Sequence, residues 1–225
     1  MGTRGADPPE RRATGAATLA PPTERERLIA AMAASCAARG YAATRIADVT
    51  AAAAVGENSF EQHFAGKAEC ALTALNETLA EVTRVVAAAS GPERADWEKL
   101  LGGLRALLEL LAARPSAAQL ACAEARQSMP PEAYALYASG IRVLVAMLDR
   151  TRAYASVTAP PSATRAAIGG AEALIRRELL AGRAERLPEL LPDIVYGLLV
   201  PYLDQQEALR YAELARERVN EGGVR

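Results

Sequence analysis

The chain contains few aromatic residues, a single histidine and only three cysteines. Cys36, Cys70 and Cys122 lie far apart in apolar surroundings, which argues against a disulfide framework and against a cysteine metal site. We expect them to be reduced thiols in or near the core. No apolar run approaches the ~20 residues that span a bilayer, and the first residues contain no apolar signal core. These absences predict a soluble, cytoplasmic protein with no membrane partner.

Motifs for catalysis are also missing. The sequence has no nucleophile elbow, phosphate-binding loop or metal-spaced cluster, and the acidic residues are scattered over helical surface patterns. The only histidine, His63, lies in a short polar helix and is better suited to a base or phosphate contact than to general base catalysis. We therefore predict that the protein is not an enzyme and needs no cofactor or metal. Since the formal net charge is -1, any contact with nucleic acid must be local.

Helical periodicity dominates the rest of the sequence. An alanine-rich, aromatic-poor composition with few strand-forming runs predicts an all-α protein. After residue 66, apolar stripes interrupted by proline and glycine predict a series of helices. Their ranges are 67–90, 97–114, 134–155, 162–180, 188–203 and 205–219, with a shorter helix between 114 and 128.

The segment from Thr44 to Lys67 is the most informative part of the chain. Ile46, Val49 and Ala53 have helical spacing behind Thr44, which we predict to be the N-cap. The periodic pattern of larger apolar residues ends after Ala53, and Gly56 follows. We therefore predict a turn at 54–56.

A second short helix is predicted after this turn. Phe60 and Phe64 are four residues apart and should be buried on one face. The opposite face then carries polar groups that could enter a DNA major groove, where Asn and Gln pair with adenine edges. These groups are Asn58, Ser59, Gln62 and His63.

With its flanks, this segment resembles the DNA-binding domain of the TetR family of bacterial transcriptional regulators. The resemblance covers about residues 23–75 and is carried by the first amphipathic helix, TERERLIAAMAASCAARG, and by Gly40, Tyr41, Thr44, Ile46, Val49, Ala53, Val55, Ser59, Phe60, Phe64 and Lys67. The family usually has glycine in place of Ala54, a hydroxyl residue in place of Gly56 and an aromatic in place of Glu61.

The resemblance implies an N-terminal three-helix helix-turn-helix domain, residues 23–66, followed by a larger helical ligand-binding and dimerisation domain, residues 67–219. Residues 220–225 form a tail. Residues 1–22 are predicted to be a disordered arm, and its arginines Arg4, Arg11 and Arg12 leave open a contact with a DNA minor groove.

The predicted contacts with double-stranded DNA combine phosphate and base contacts. Arg45 and Lys67 are the candidate phosphate contacts, because each lies at the start of a helix. The full predicted set is Arg45, Glu57, Asn58, Ser59, Gln62, His63 and Lys67. Between residues 23 and 67 the acidic and basic side chains balance, whereas strong DNA binders usually show a basic face.

The resemblance further implies a ligand pocket and a dimer interface in the larger domain. Pocket candidates are apolar-stripe residues that include indole, phenol and sulfur groups: Trp97, Leu104, Leu108, Cys122, Met129, Tyr134, Tyr137 and Ile141. Candidates for the homodimer interface combine a strip of small residues with apolar area: Ala166, Gly169, Gly170, Ala173, Leu191, Ile194 and Leu198. Packing within one chain explains both sets equally well.

The sequence thus predicts a ligand-responsive transcriptional regulator. We interpret it as a repressor that a small lipophilic or aromatic molecule releases from a palindromic operator. The alternative, suggested by Glu57, Glu61 and the neutral N-terminal domain, is a dimeric helical small-molecule-binding protein with weak or lost DNA binding.

Overall fold

The computed structural model describes residues 21–91, 96–151, 157–160 and 162–222. The predicted N-terminal arm, residues 1–22, lies almost wholly outside the described residues. Residues 152–156 lie outside them too, and they contain the predicted end of the helix over 134–155. Within the described residues every regular element is a helix, so the all-α prediction is confirmed.

Three short helices form the N-terminal unit: α1 (Glu24–Arg39), α2 (Ile46–Ala53) and α3 (Glu57–His63). The start of α1 is fixed by a capping box, in which the Thr23 amide donates to Glu26 Oε2 at 2.8 Å and the Glu26 amide donates to Thr23 Oγ1 at 3.3 Å. The helix ends at Gly40, whose φ of 80° is a conformation that glycine adopts without steric strain. The chain can therefore turn sharply into α2.

The prediction that Thr44 caps α2 is wrong. Arg45 is the N-cap, and Asp48 accepts a 2.9 Å hydrogen bond from the Arg45 amide. The Thr44 hydroxyl instead donates to the carbonyl of Gly40 at 2.8 Å. The helix therefore begins one residue later than predicted, and the Thr44 hydroxyl braces the preceding turn.

The predicted turn at 54–56 is confirmed. Ala54 ends α2 in the left-handed conformation, with φ 52° and ψ 51°, and Gly56 precedes α3. Only alanine's small Cβ opposes this conformation, at a cost of about 1–2 kcal/mol. Thus the turn forms here without the glycine that the family usually has in place of Ala54.

The larger unit begins with α4 (Lys67–Ser90) and α5 (Asp96–Ala113), which pack along each other. The next segment was predicted as one short helix. It consists of α6 (Pro115–Gln119), a π-helical segment (Leu120–Glu124) and α7 (Ala125–Gln127). We call Leu120–Glu124 the π segment; such wide turns are frequent at functional sites.

The remaining helices are α8 (Pro131–Thr151), α9 (Ala163–Leu180), α10 (Leu191–Leu199) and α11 (Gln205–Gly222). The predicted helix over 188–203 is too long at both ends. A 3-10 helix occupies Ala184–Leu190, and α10 ends before Pro201, because proline cannot donate the hydrogen bond that continues a helix.

Two hydrophobic clusters divide the core. The first, which we call the N-terminal cluster, joins α1, α2, α3 and the start of α4, and it also includes Leu120, Ala121 and Tyr137 from the larger unit. The second fills the space between α4, α5, α8, α9 and α10. Both clusters contain residues of α4, so one long helix connects the two units.

A buried carboxylate closes the end of α9. Glu178 is 4% exposed and accepts hydrogen bonds from Arg183 Nε at 2.7 Å and from Arg177 Nε at 3.0 Å. These bonds, chiefly that from Arg183, lower the pKa of Glu178 to about 2. Its ionised form therefore stabilises the turn into the 3-10 helix.

We expect Glu178→Gln to destabilise the protein at neutral pH and progressively less in acid. Because the folded-state pKa is depressed, the contribution of the carboxylate is complete above its unfolded value near 4.5 and disappears as the pH falls through about 2. Urea unfolding of both proteins at about pH 6 and about pH 3 measures this. The exposed Glu189, paired with Arg186, gives the control Glu189→Gln; an equal deficit at both pH values for Glu178→Gln contradicts the expectation.

Candidate functional site

The outward face of α3 is polar and acidic. Phe60 and Phe64 are buried, with ring centroids 5.6 Å apart, and they fix the helix against α1 and α4. Glu57, Asn58 and Gln62 are exposed, as predicted for a reading face. The prediction that the aromatics are buried is also confirmed.

Ser59 and His63 are less accessible than the sequence suggested. Both are half-buried, and the Ser59 hydroxyl donates to Glu24 Oε2 of α1 at 2.5 Å. The His63 ring lies 6.4 Å from the Phe64 ring, between centroids. Ser59 therefore joins α3 to α1, and a contact with DNA would compete with this bond.

The basic side chains of the N-terminal unit are mostly occupied within the protein. Arg39 pairs with Asp48 at 2.9 Å, and Arg25 pairs with Glu77 at 2.8 Å. Arg27 Nε donates to the carbonyl of Ala53 at 3.1 Å. In the described part of this unit, Arg45 is the only arginine or lysine whose side chain makes no hydrogen bond or ion pair within the chain.

Lys67 has an internal position that the sequence did not reveal. Its ammonium donates to the carbonyls of Tyr41 and Thr44, both at 3.0 Å, and to that of Ala42 at 3.4 Å. It also lies 4.3 Å from the centroid of the Tyr41 ring. A phosphate contact by Lys67, as predicted, would have to share the ammonium with these carbonyls.

We expect Lys67→Ala to lower the free energy of unfolding by about 2–3 kcal/mol, because charge-assisted hydrogen bonds to three carbonyls are lost. Lys67→Arg retains a cationic donor and should lose less. Urea unfolding followed by tyrosine fluorescence compares the three proteins. A stability of Lys67→Ala equal to that of the wild type, with weaker DNA binding, would instead assign Lys67 to phosphate alone.

The π segment and the last residue of α6 contact the end of α1 and the turn after it through two side chains. Glu124 Oε2 accepts a 2.9 Å hydrogen bond from the Tyr41 amide and another from the Ser128 hydroxyl. Gln119 Nε2 donates to the carbonyl of Ala37 at 3.2 Å. The larger unit therefore holds the turn between α1 and α2.

We expect Glu124→Ala to accelerate amide hydrogen exchange at Tyr41, because that amide loses its acceptor, and to cost about 1–3 kcal/mol. Glu124→Gln keeps an oxygen at this place and should exchange nearly as slowly as the wild type. Exchange measured by mass spectrometry distinguishes them. Slow exchange at Tyr41 in Glu124→Ala contradicts the assigned bond.

Two adjacent cavities lie in the larger unit. The outer cavity, of about 100 Å³, lies between α4, α5, α8 and α9 and is lined by Cys122, Tyr137 and Ile141. The inner cavity, of about 60 Å³, is lined by Leu104 and Leu108. Five of the eight predicted pocket residues thus line one cavity or the other.

The other three predicted pocket residues lie elsewhere. Trp97 packs against Tyr211 of α11 with ring centroids 5.7 Å apart, and Tyr134 is 57% exposed. Met129 packs against the N-terminal cluster. Each lies on an apolar stripe. Periodicity within one helix does not reveal which part of the protein, or whether solvent, lies opposite that stripe.

Sequence reasoning missed the charged residue that the two cavities share. Glu172 of α9 lines both. Its Oε2 accepts a 3.1 Å hydrogen bond from Arg126, and its Oε1 accepts the hydroxyl proton of Tyr137. A signal was present, because Glu172 falls on the buried stripe of α9 between Ile168 and Ile175.

Burial and these bonds determine the ionisation of the groups around Glu172. Burial, together with the bond to Glu172, raises the pKa of Tyr137, so the phenol keeps its proton at neutral pH. Burial also raises the pKa of the Cys122 thiol to about 12. Cys122 is therefore an apolar wall residue and not a nucleophile.

The predicted dimer residues separate into two groups. Ala166, Gly169, Gly170 and Ala173 are exposed along one side of α9, where a groove runs between α9 and α10. The other group is buried in the chain's own core, contrary to the prediction. It consists of Leu191, Ile194 and Leu198, of which Ile194 also lines this groove.

Neither a metal-binding cluster nor a helix able to cross a membrane occurs in the described part of the chain. No protein-family model matches the sequence, and no curated protein matches it.

Solved structures do match. The fatty acid degradation regulator FadR from Bacillus halodurans superposes with a TM-score of 0.67 at 16% identity, over 80% of this chain and 96% of that one. A tetR-family regulatory protein from Rhodococcus RHA1 gives 0.56 at 21%, over 88% and 98%. The superantigen PfiT gives 0.59 at 21%, over 80% and 96%. The chain therefore has the fold of the TetR-family regulators, with an N-terminal helix-turn-helix domain and a helical C-terminal domain.

Proposed function

We propose that this protein is a homodimeric, ligand-responsive repressor that binds a palindromic DNA operator. The observation that carries the proposal is the presentation of α3: buried Phe60 and Phe64 hold its apolar side, while Glu57, Asn58 and Gln62 remain exposed. A short helix with exposed amide and carboxylate groups can read base edges in a major groove. The TetR-like fold supports the same function.

A dimer would supply the second reading helix. The groove between α9 and α10 is lined by small residues, including Ala163, Ala166, Gly170 and Gly197, which permit close approach of another helix. We infer that a second copy packs on this side. Two reading helices about one DNA turn apart then require a palindromic site.

Charge limits the strength of DNA binding. Arg45 is available for phosphate, whereas Glu57 and Glu61 are exposed and make no ion pair with any described residue. Few neutralised phosphates imply modest affinity and a shallow salt dependence. Base-edge contacts would then carry a large share of the binding energy.

The cavities provide a place for an effector. The walls are almost wholly apolar, which suits a small lipophilic or aromatic molecule. Two routes lead from them to the DNA-binding unit. Helix α4 lines the outer cavity with Leu79 and Val82 and joins the N-terminal cluster at Leu75. The π segment lines it with Cys122 and holds Tyr41 through Glu124.

Repression would end by a population shift. An effector that prefers a different arrangement of α4 and the π segment moves the two α3 helices away from half-site spacing, so DNA and effector disfavour each other reciprocally. A difference in affinity of about 100-fold, roughly 2.7 kcal/mol, empties an operator held near its dissociation constant.

Selection from a random duplex pool tests this proposal. The purified protein should enrich a palindrome whose half-sites are about one helical turn apart. Asn58→Ala and Gln62→Ala should each relax the preference at one position of the half-site while retaining the fold. Recovery of an unchanged random pool by a folded dimer would contradict DNA reading.

The second candidate is a dimeric small-molecule-binding protein that does not bind DNA. It is favoured by the α3 carboxylates, which pair with no described residue, and by the internal use of Arg25, Arg39 and Lys67. The likeness to a protein described as a superantigen agrees with more than one function for this fold. In that case the cavities would bind a ligand, and no duplex would be enriched.

A further inference from the structure

The two cavities meet at a charged group. Glu172 lines both, together with Val86, Leu107, Leu144 and Ile175. Among the described residues that line either cavity, Glu172 is the only one with a charged side chain. A molecule in either cavity therefore lies in an apolar enclosure with a carboxylate at its wall.

The carboxylate retains capacity to accept hydrogen bonds. An ionised carboxylate has about four lone-pair sites. The bonds from Tyr137 and Arg126 use one site on each oxygen. A ligand hydroxyl or amine at the junction can donate to one of the others.

The same position opposes negative ligands. The cavity walls offer no cation, because the Arg126 guanidinium approaches Glu172 from an exposed position and is not among the lining residues. Arg126 is already paired with Glu172 at 3.1 Å. A ligand carboxylate here would therefore lose its hydration, gain no free cation and lie against another carboxylate, which is unfavourable in an apolar enclosure. The cavity chemistry thus separates donors from anions.

Size sets a second limit. The cavities measure about 100 and 60 Å³, and a cavity of about 150 Å³ accepts a benzene-sized molecule. Leu107 and Leu144 line both cavities, so small shifts of these side chains would join them. A single aromatic ring with a short alkyl chain fits this volume.

We propose that the joined cavities bind a small apolar molecule whose hydroxyl or amine donates a hydrogen bond to Glu172, and that they reject carboxylates of the same skeleton. This inference rests on the effector pocket of the proposed function and specifies the chemical class of the effector.

Calorimetric titration with three matched probes tests the inference: para-propylphenol, propylbenzene and para-propylbenzoate. At neutral pH the wild-type protein should bind the phenol at least about threefold more tightly than propylbenzene and at least about tenfold more tightly than the benzoate. Equal affinity for phenol and benzoate, or binding of none of the probes, would overturn it.

Two variants locate the effect. Glu172→Gln removes the charge and adds an amide donor, so the preference for phenol over benzoate should fall at least about tenfold. Glu109→Gln, at an exposed carboxylate paired with Arg105, is the matched control and should keep the wild-type ranking. An unchanged ranking in Glu172→Gln also overturns the inference, and the wild-type comparison decides the matter if this variant does not fold.

Binding and DNA recognition fail separately in this design. A protein that ranks the probes as expected but enriches no duplex retains this inference and loses the regulator function. One that enriches a palindrome but does not rank the probes loses only the inferred effector class.

Discussion

Phe60→Ala should abolish specific DNA binding and destabilise the protein by about 3–5 kcal/mol. Phe60 is fully buried and its ring packs against that of Phe64 at 5.6 Å between centroids. Removing the ring leaves a cavity between α3, α1 and α4, in the cluster that fixes α3. Since natural domains are stable by only about 5–15 kcal/mol, this loss is large.

Urea unfolding gives the stability change, and titration of a labelled duplex gives the binding change. Phe60→Leu retains most of the apolar volume and should lose clearly less of both. A loss of stability below about 1 kcal/mol in Phe60→Ala would mean that α3 is not held by this aromatic pair.

Glu61→Lys should raise affinity for duplex DNA at least about tenfold, or about 1.4 kcal/mol. Glu61 is exposed on α3, four residues after Glu57, and has no ion-pair partner among the described residues. In the proposed complex, the change removes a negative charge beside the phosphates and adds a cation in each subunit. In a dimer, two further phosphate contacts would steepen the salt dependence of log K by about two.

Measurement of affinity at several salt concentrations tests this expectation. Glu109→Lys, at an exposed position on α5 in the larger unit, makes the same charge change away from α3 and should have a much smaller effect. Equal effects of the two variants would indicate general electrostatic attraction and no docking of α3 on DNA.

Local sequence signals were sufficient for much of the fold. Apolar periodicity predicted α4 to residue 90 and the buried pair Phe60 and Phe64, and the loss of periodicity before Gly56 predicted the turn. Capping was predicted less well, because Asp48 and Thr44 both offer acceptors near the start of α2. The Thr44 hydroxyl bonds back to Gly40, and Asp48 bonds to the amide of Arg45, so the helix begins one residue later than predicted.

Site residues were harder to predict, because their functions depend on which helix lies opposite. Lys67 is a candidate phosphate contact by sequence, yet its ammonium donates to three carbonyls of another segment. Leu191, Ile194 and Leu198 have the pattern of an interface but face the chain's own core. Glu172 could have been found, since it is a carboxylate on an otherwise apolar stripe.

The most direct test of DNA reading is a titration of the wild-type protein with the enriched duplex and with a shuffled duplex of the same composition. We expect the enriched duplex to bind at least about 1,000-fold more tightly, with both affinities falling as salt rises. Equal affinity for the two duplexes, measured on folded dimeric protein, would contradict sequence-specific regulation and leave small-molecule binding as the function of this fold.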